Sequence, residues 1–402
     1  MNLSITQKDY LLAICTGVFL FILPFTHTVA IRLSFLLISF ILLIWIYQLG
    51  AVRQFITKKF FLVWLLFPLL ILPFATDIAY SLNEIKVEMG YSLMAFMIFF
   101  SLAYQKIFFV KSAVIAMSSS LIIVSLWGLL NSYNNQWLWD ETAQHNGSAS
   151  YISYTLILMP LLVFAQCLFR QQRGVLIGIL LLVLLTSFLS GQRIFILALL
   201  IELLVFAIWT KQYLKINTQK LVLLASIFIL LSGVLALGSL LNRFDGSLDI
   251  ALHYQQHDPR LQLFSIPIDL IKNSPFLGYG FGRETMLHVL GGEVALEKIL
   301  ENYPDGYQYG HAHNIVLNYA IEIGLLGLII FAALFAYLVR YYYQCAKHSK
   351  QIIAVAGATG LAILLGFLVR NQTNDMFYRD ISLFFWSTQG LLLGFIAKRT
   401  QK

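Results

Sequence analysis

Long unbroken apolar runs dominate this sequence, and they decide the solvent it folds in. A helix that crosses the hydrocarbon core of a bilayer needs ~20 mostly apolar residues. Twelve segments meet or approach that length: residues 10–26, 31–49, 60–75, 91–109, 112–131, 151–169, 174–190, 192–210, 221–240, 314–340, 351–370 and 381–397. Strands of a membrane β-barrel alternate apolar and polar residues over ~10 positions. These runs do not alternate, and in lipid a helix satisfies every backbone polar group within its own segment. The expected fold is therefore an all-α polytopic membrane protein with about twelve transmembrane helices. Only 11% of the residues are charged, against ~25% in soluble domains. A soluble globular protein, a disordered tail and a nucleic-acid partner are excluded on that ground.

The formal charge of +8 then becomes a question of sides. Lys and Arg accumulate in the cytoplasmic loops of membrane proteins. One alternating set of short loops holds Lys8; Arg53, Lys58 and Lys59; Lys106 and Lys111; Arg170 and Arg173; Lys211, Lys215 and Lys220; Arg340, Lys347 and Lys350; and Lys398, Arg399 and Lys402. That is seventeen of the 27 basic residues, facing a single acid, Asp9. The opposite set holds the other ten basic residues and sixteen of the 19 acids, while Glu202 and Glu322 fall inside spans. Both termini are expected in the cytoplasm. Residues 10–26 lack a strong basic flank and a small-residue cleavage site, so they read as a retained first span. Cys15, Cys167 and Cys345 have neither disulfide nor metal-ligand spacing.

The non-repetitive sequence lies on the outer side. Residues 241–312 form one long loop that separates spans one to nine (1–240) from spans ten to twelve (313–402), and a loop of that length usually carries structure and function. Within it, Asp258-Pro259 reads as a helix start. Leu261, Phe264, Ile268 and Ile271 make one apolar face; Pro267 would kink the helix, and Asn273-Ser274-Pro275 ends it. The run Gly278–Gly282 follows, then a second helix over about 283–301. Residues 76–90 carry the pattern of a helix lying in the membrane interface, with a plain connector helix the favoured reading.

Candidate chemistry gathers at the same side. Gly310-His311-Ala312-His313-Asn314 stands where the long loop enters span ten. A helix N-terminus attracts anions through its free amides and its dipole, and the dipole disfavours an imidazolium. His313 there suits a base beside a phosphate. Interfacial capping residues are the alternative for His311 and His313. Arg193 sits at an outer turn, and an arginine beside hydrocarbon calls for an anionic partner or snorkels to the interface. Arg260 occupies a first helical turn, where the dipole opposes a cation; it reads as a ligand contact or a solvated charge. Arg370, Asp375, Arg379 and Asp380 flank the last outer loop, where a carboxylate could orient the histidine. Glu202 lies mid-span, and Glu322, nine residues after His313, counts onto the opposite helix face.

Three features together resemble the O-antigen ligase family, which shares a superfamily with O-antigen polymerases and protein O-oligosaccharyltransferases. They are His313-Asn314-x-x-Leu317 followed by Glu322-x-Gly324-x-x-Gly327; Arg260 followed by Pro275-x-x-Gly278-x-Gly280; and twelve spans with one long outer loop before the histidine. The resemblance implies a GT-C-like, metal-independent glycosyltransferase of the bacterial inner membrane without a cofactor. Its donor would be an undecaprenyl-diphosphate-linked glycan, its acceptor lipid A–core, and its active site periplasmic. It implies His313 as the essential histidine, Arg193 and Arg260 as diphosphate-binding arginines, and supporting places for Asp375 and Asn314; His311 is a possible supporting residue by its position, with no firm role in the family. The usual Ser-Arg adjacency before Arg193 is interrupted here by Gly191-Gln192. A polysaccharide polymerase using the same donor is the nearest alternative. A transporter of lipid-linked glycan is the alternative of a different class; transporters often carry inverted repeats and a midplane site, and this sequence has no evident internal repeat.

Overall fold

The computed structural model describes residues 6–47, 59–134, 147–190, 192–214, 264–291, 311–373 and 375–401, and every regular element among them is helical. In chain order these are α1 (Gln7–Ile22), α2 (Val29–Ile46), α3 (Lys59–Ile71), α4 (Ile78–Gln105), α5 (Ile107–Asn134), α6 (Ser148–Leu168), α7 (Arg173–Leu189), α8 (Arg193–Leu214), α9 (Ser265–Asn273), α10 (Thr285–Val289), α11 (Ile315–Ala346), α12 (Gln351–Arg370) and α13 (Arg379–Thr400). Eight of them, α2, α4 to α7 and α11 to α13, are long and apolar enough to cross a membrane. Helices α1, α3 and α8 coincide with three more of the expected spans. The expected span 221–240 lies outside the described residues, as do residues 241–263 and 292–310 of the long loop.

Contacts between helix ends join residues that the charge pattern assigned to one side. At the inner set, Lys106 pairs with Asp9 at 2.7 Å, Tyr47 donates to Asp9, and Lys8 lies over the Trp45 ring. Asp9 also closes a capping box with Thr6 at the start of α1. At the outer set, Arg32 pairs with Asp380 at 3.4 Å, and the Arg370 guanidinium donates to the Ala149 carbonyl at 2.9 Å. Helix α13 packs on α4 through Gly390 and Gly394, where a Cβ would overlap the backbone of Phe96 and Phe100. That Gly-x-x-x-Gly spacing lets two backbones approach without large side chains between them.

Three local expectations change. Residues 76–90 are not a separate interfacial helix but the first turns of α4, capped by Asp77, which accepts from the Tyr80 amide at 2.9 Å. Gly90 keeps helical dihedrals, so nothing breaks the helix; a π turn over Ile85–Gly90 joins its two parts. Pro267 does not kink α9, because it falls in the first turn, where its missing N–H costs no internal bond. Ile268 is exposed, and α9 instead buries Pro267 and Leu270, the latter against Met286, Ala312 and Ile321. The described helix that follows is only α10, Thr285–Val289.

The chain's most consequential break is inside α11. Gly324 has φ 65°, ψ −179°, and interrupts the helix. The turn 275–280 fills the break. The amides of Tyr279 and Gly280 donate to the carbonyls of Ile321 and Glu322, both at 2.9 Å, and the amides of Leu325 and Leu326 donate to the carbonyls of Pro275 and Phe276 at 2.8 and 3.3 Å. A Cβ at residue 324 would overlap the Phe276 carbonyl. Gly324→Ala combines that overlap with a left-handed backbone, and should cost about 2–4 kcal/mol. The check is thermal unfolding of the purified variant in detergent; a melting temperature equal to that of the unaltered protein refutes it.

Candidate active site

The site is built where α11 begins. His313 adopts φ 51°, a left-handed conformation that histidine tolerates better than most residues. The chain therefore turns sharply before Asn314, which caps α11 by accepting from the amides of Val316 and Leu317 at 2.9 and 3.1 Å. The Asn314 amide group donates to the Gln372 carbonyl at 3.0 Å, and the Ile315 amide donates to the Asn371 carbonyl at 3.0 Å. The Asn318 amide takes the Asn314 carbonyl at 2.8 Å. All the amides of the first helical turn are thus used inside the protein. The expectation that they would bind an anion is corrected: at this helix start an anion must be held by side chains.

His311 and His313 stack with ring centroids 4.1 Å apart and planes tilted by 39°. Arg283 closes one side of the pair. Its Nη2 donates to His311 Nε2 at 2.6 Å, and its guanidinium lies 3.9 Å from the centroid of the Tyr378 ring. Beneath them, Asn318 uses its whole amide. Its Oδ1 accepts from the Ala312 amide at 3.4 Å, and its Nδ2 donates to Glu322 at 2.6 Å and to Asp375 at 3.0 Å. Glu322 also accepts from the Gly282 amide at 3.2 Å, and Asp375 from the Phe377 amide at 3.0 Å. The wheel count that set Glu322 opposite His313 fails because His313 is not helical; Glu322 belongs to the same hydrogen-bonded group.

The other expected residues are distributed as follows. Asp375 is buried beneath the histidine-bearing turn, with Arg283 and Arg370 near enough to act on its charge. Arg370 is fully buried. Arg379 offers its backbone amide to Glu88 at 2.9 Å. Arg193 is exposed at the first residue of α8 and has no hydrogen-bond or ion-pair partner among the described residues. Its turn is tied to the site only indirectly. Gln192 donates to Ser148 at 2.7 Å at the start of α6, and the next residue of α6, Ala149, accepts from Arg370. Arg260 lies outside the described residues. Glu202 is buried between α8 and α12 beside Gly366, away from this group.

Sequence reasoning missed Arg283 and Asn318. Arg283 was countable among the ten outer basic residues, which the inside rule does not require, but its loop position gave no sign of the histidines. Asn318 was legible only as one turn after Asn314. A third feature was hidden altogether. A small open pocket, lined by Phe61, Trp64, Phe96, Phe281, Tyr319 and Trp386 among others, reaches Glu88 and the hydrogen-bonded pair Ser92–Ser382 (3.0 Å). It borders the site through Tyr319 and Phe377, neighbours of Asn318 and Asp375. Among the described residues, no group of His, Cys, Asp or Glu is arranged to hold a metal ion.

Residues 176–332 match the family model described as O-antigen ligase. Over that stretch the chain is similar to the O-antigen ligase family. It spans Arg193, Arg260, Arg283, His311, His313, Asn318 and Glu322, so the motifs that carried the resemblance fall within it, while the Asp375 loop lies beyond. No curated protein matches the sequence.

The buried acid gives a pH test. Burial raises the Asp375 carboxyl above its ordinary value of 3.8, with Arg283, the Phe377 amide, Asn318 and Arg370 opposing the rise. A folded state that holds a proton more tightly than the unfolded chain is favoured while the group is protonated, and loses that advantage as pH rises through the raised folded value. Asp375→Asn removes this titration. The melting temperature of the variant, relative to the unaltered protein, should climb as pH rises from about 4 toward neutrality, since Asp in an unfolded chain titrates near there. A difference that does not change with pH refutes the assignment.

Proposed function

We propose that this protein is an O-antigen ligase of the bacterial inner membrane that moves a glycan from undecaprenyl diphosphate to lipid A–core at the periplasmic face, with both termini in the cytoplasm. The observation that carries the reading is His313. It is half-buried and held off the helix by its own left-handed turn, beside a second histidine and an arginine. The family match over residues 176–332 supports the class of chemistry.

In this mechanism His313 accepts the proton of an acceptor sugar hydroxyl as that oxygen attacks the anomeric carbon of the donor. The bond from that carbon to the phosphate oxygen breaks, and its electron pair leaves with the diphosphate. Arg193 and Arg260 hold the diphosphate and stabilise its developing charge, an electrostatic effect worth several kcal/mol in comparable sites. Neither metal nor nucleotide enters the step, because the energy is already stored in the lipid-linked diphosphate. Side chains must do this work here, since Asn314 and Asn371 already occupy the amides at the start of α11.

The deciding experiment is reconstitution of the purified protein with undecaprenyl-diphosphate glycan and lipid A–core, in chelator and without nucleotide. Transfer to lipid A–core is expected. Lengthened carrier-linked glycan would replace this reading with a polymerase, and no covalent product with a transporter. His313→Ala should lower transfer at least ~100-fold, within the span that general acid–base catalysis supplies, while protein level and donor lipid are unchanged; full transfer by the variant sinks the role of His313. Arg193→Lys should also transfer poorly, because lysine lacks the planar fork that grips a phosphate through two bonds. Unchanged kinetics in that variant remove Arg193 from the site.

A further inference from the structure

The Arg283–His311 contact has a fixed direction. Arginine carries only donors and stays charged. A 2.6 Å bond from Arg283 Nη2 to His311 Nε2 therefore requires a lone pair on that nitrogen. An imidazolium has none, so His311 is neutral and carries its proton on Nδ1. The guanidinium cannot swing freely, because its face rests on the Tyr378 ring. The loop that carries it is also anchored one residue earlier, where the Gly282 amide meets Glu322. His311 is thus held from one edge, and its ring lies against His313.

We propose that Arg283 is a positioning residue for His313: it locks His311 in one tautomer and one orientation against the His313 ring, and its fixed charge keeps a proton off the pair until the acceptor hydroxyl supplies one. The proposal rests on the reading of His313 as the base in glycosyl transfer. It extends that reading to a residue outside the motifs that first suggested it.

Charged groups reach this part of the site from several elements among the described residues. Arg283 comes from the loop after α9. Asp375 comes from the loop after α12, with Arg370 behind it. Glu322 comes from α11 itself, joined to Asp375 through Asn318. The two carboxyl groups favour a proton on the histidines and the two arginines oppose it. Of these, Arg283 reaches the His311 ring itself. Asn318 donates to both acids and accepts from the amide of Ala312, the residue between the two histidines.

Arg283→Gln and Arg283→Lys separate this role from its alternatives. The whole protein is purified in detergent, and both variants are first checked for a monodisperse peak. In the reconstituted transfer assay, Arg283→Gln should lower kcat about 10-fold or more with the donor KM unchanged, and shift the acid limb of the pH–rate profile to higher pH. Arg283→Lys, which keeps a charge and a donor, should recover most of the rate.

A second measurement needs no substrate. Carbethoxylation by diethyl pyrocarbonate reports neutral imidazole, and fragment masses distinguish His311 from His313. The midpoint pH for His313 modification should rise in Arg283→Gln and return in Arg283→Lys. An unchanged midpoint overturns the proposal. So does a raised donor KM with kcat intact, which makes Arg283 a phosphate ligand. If the unaltered protein transfers no glycan, the functional reading fails, while the modification midpoints still decide whether Arg283 controls the pair.

Discussion

The broken helix α11 is the constraint on which the rest of this site depends. Interrupting a helix inside a membrane leaves backbone carbonyls and amides without partners, at several kcal/mol each in hydrocarbon. Here the turn 275–280 supplies all four replacement bonds. Two short motifs far apart in sequence, Pro275-x-x-Gly278-x-Gly280 and Glu322-x-Gly324, are therefore one physical device. The lack of a side chain at Gly278 lets the turn reach the Ile321 and Glu322 backbone, where a Cβ would collide. Once the turn is docked, the next residues have little choice. The Gly282 amide reaches the Glu322 carboxyl, and Arg283 is delivered to His311.

A second consequence concerns how the acids are tolerated. Glu322 and Asp375 are buried and share one amide, Asn318, whose two N–H groups go to the two carboxyls while its oxygen takes the Ala312 amide. A buried polar network is stabilising only when each member is satisfied. Asn318 has no hydrogen-bonding capacity left over for its own N–H groups, so Asp or Leu at this position would leave two carboxyl groups without a shared donor. The network also fixes distance: it ties the last outer loop to the first turn of α11, and so holds Tyr378 where Arg283 can rest on it.

Much of this was legible in the sequence. Apolar run length located eleven helices, because helix in lipid follows from hydropathy and backbone satisfaction alone. Residues that the charge pattern placed in one set do meet, Lys106 with Asp9 and Arg32 with Asp380. The turn that carries His313 and Asn314 is joined to the loop that carries Asp375 through Asn314–Gln372 and Asn318–Asp375. What was not legible depends on tertiary docking. Counting nine residues from His313 to Glu322 assumed a helix that starts only at Ile315. The apolar face drawn through Ile268 assumed that α9 turns every apolar residue inward, whereas α9 buries Pro267 and Leu270 and leaves Ile268 exposed. Arg283 had no periodicity to mark it, since its partner is 28 residues ahead and the link is set by a turn.

The outer basic residues show why charge alone was a useful guide. The inside rule gives them no reason to be there, so each needs a local one. Arg32 has Asp380, Lys272 has Asp269, and Arg370 has Ala149 and the field of Asp375. Arg283 has His311 and Tyr378. Lys86 and Arg193 remain exposed without a partner among the described residues. Of these two, Arg193 stands at the first residue of α8, where the helix dipole works against a cation by roughly 0.3–1 kcal/mol. A neutral side chain would serve α8 better. An anion meeting Arg193 would offset that cost, and the diphosphate of the proposed donor would be such an anion.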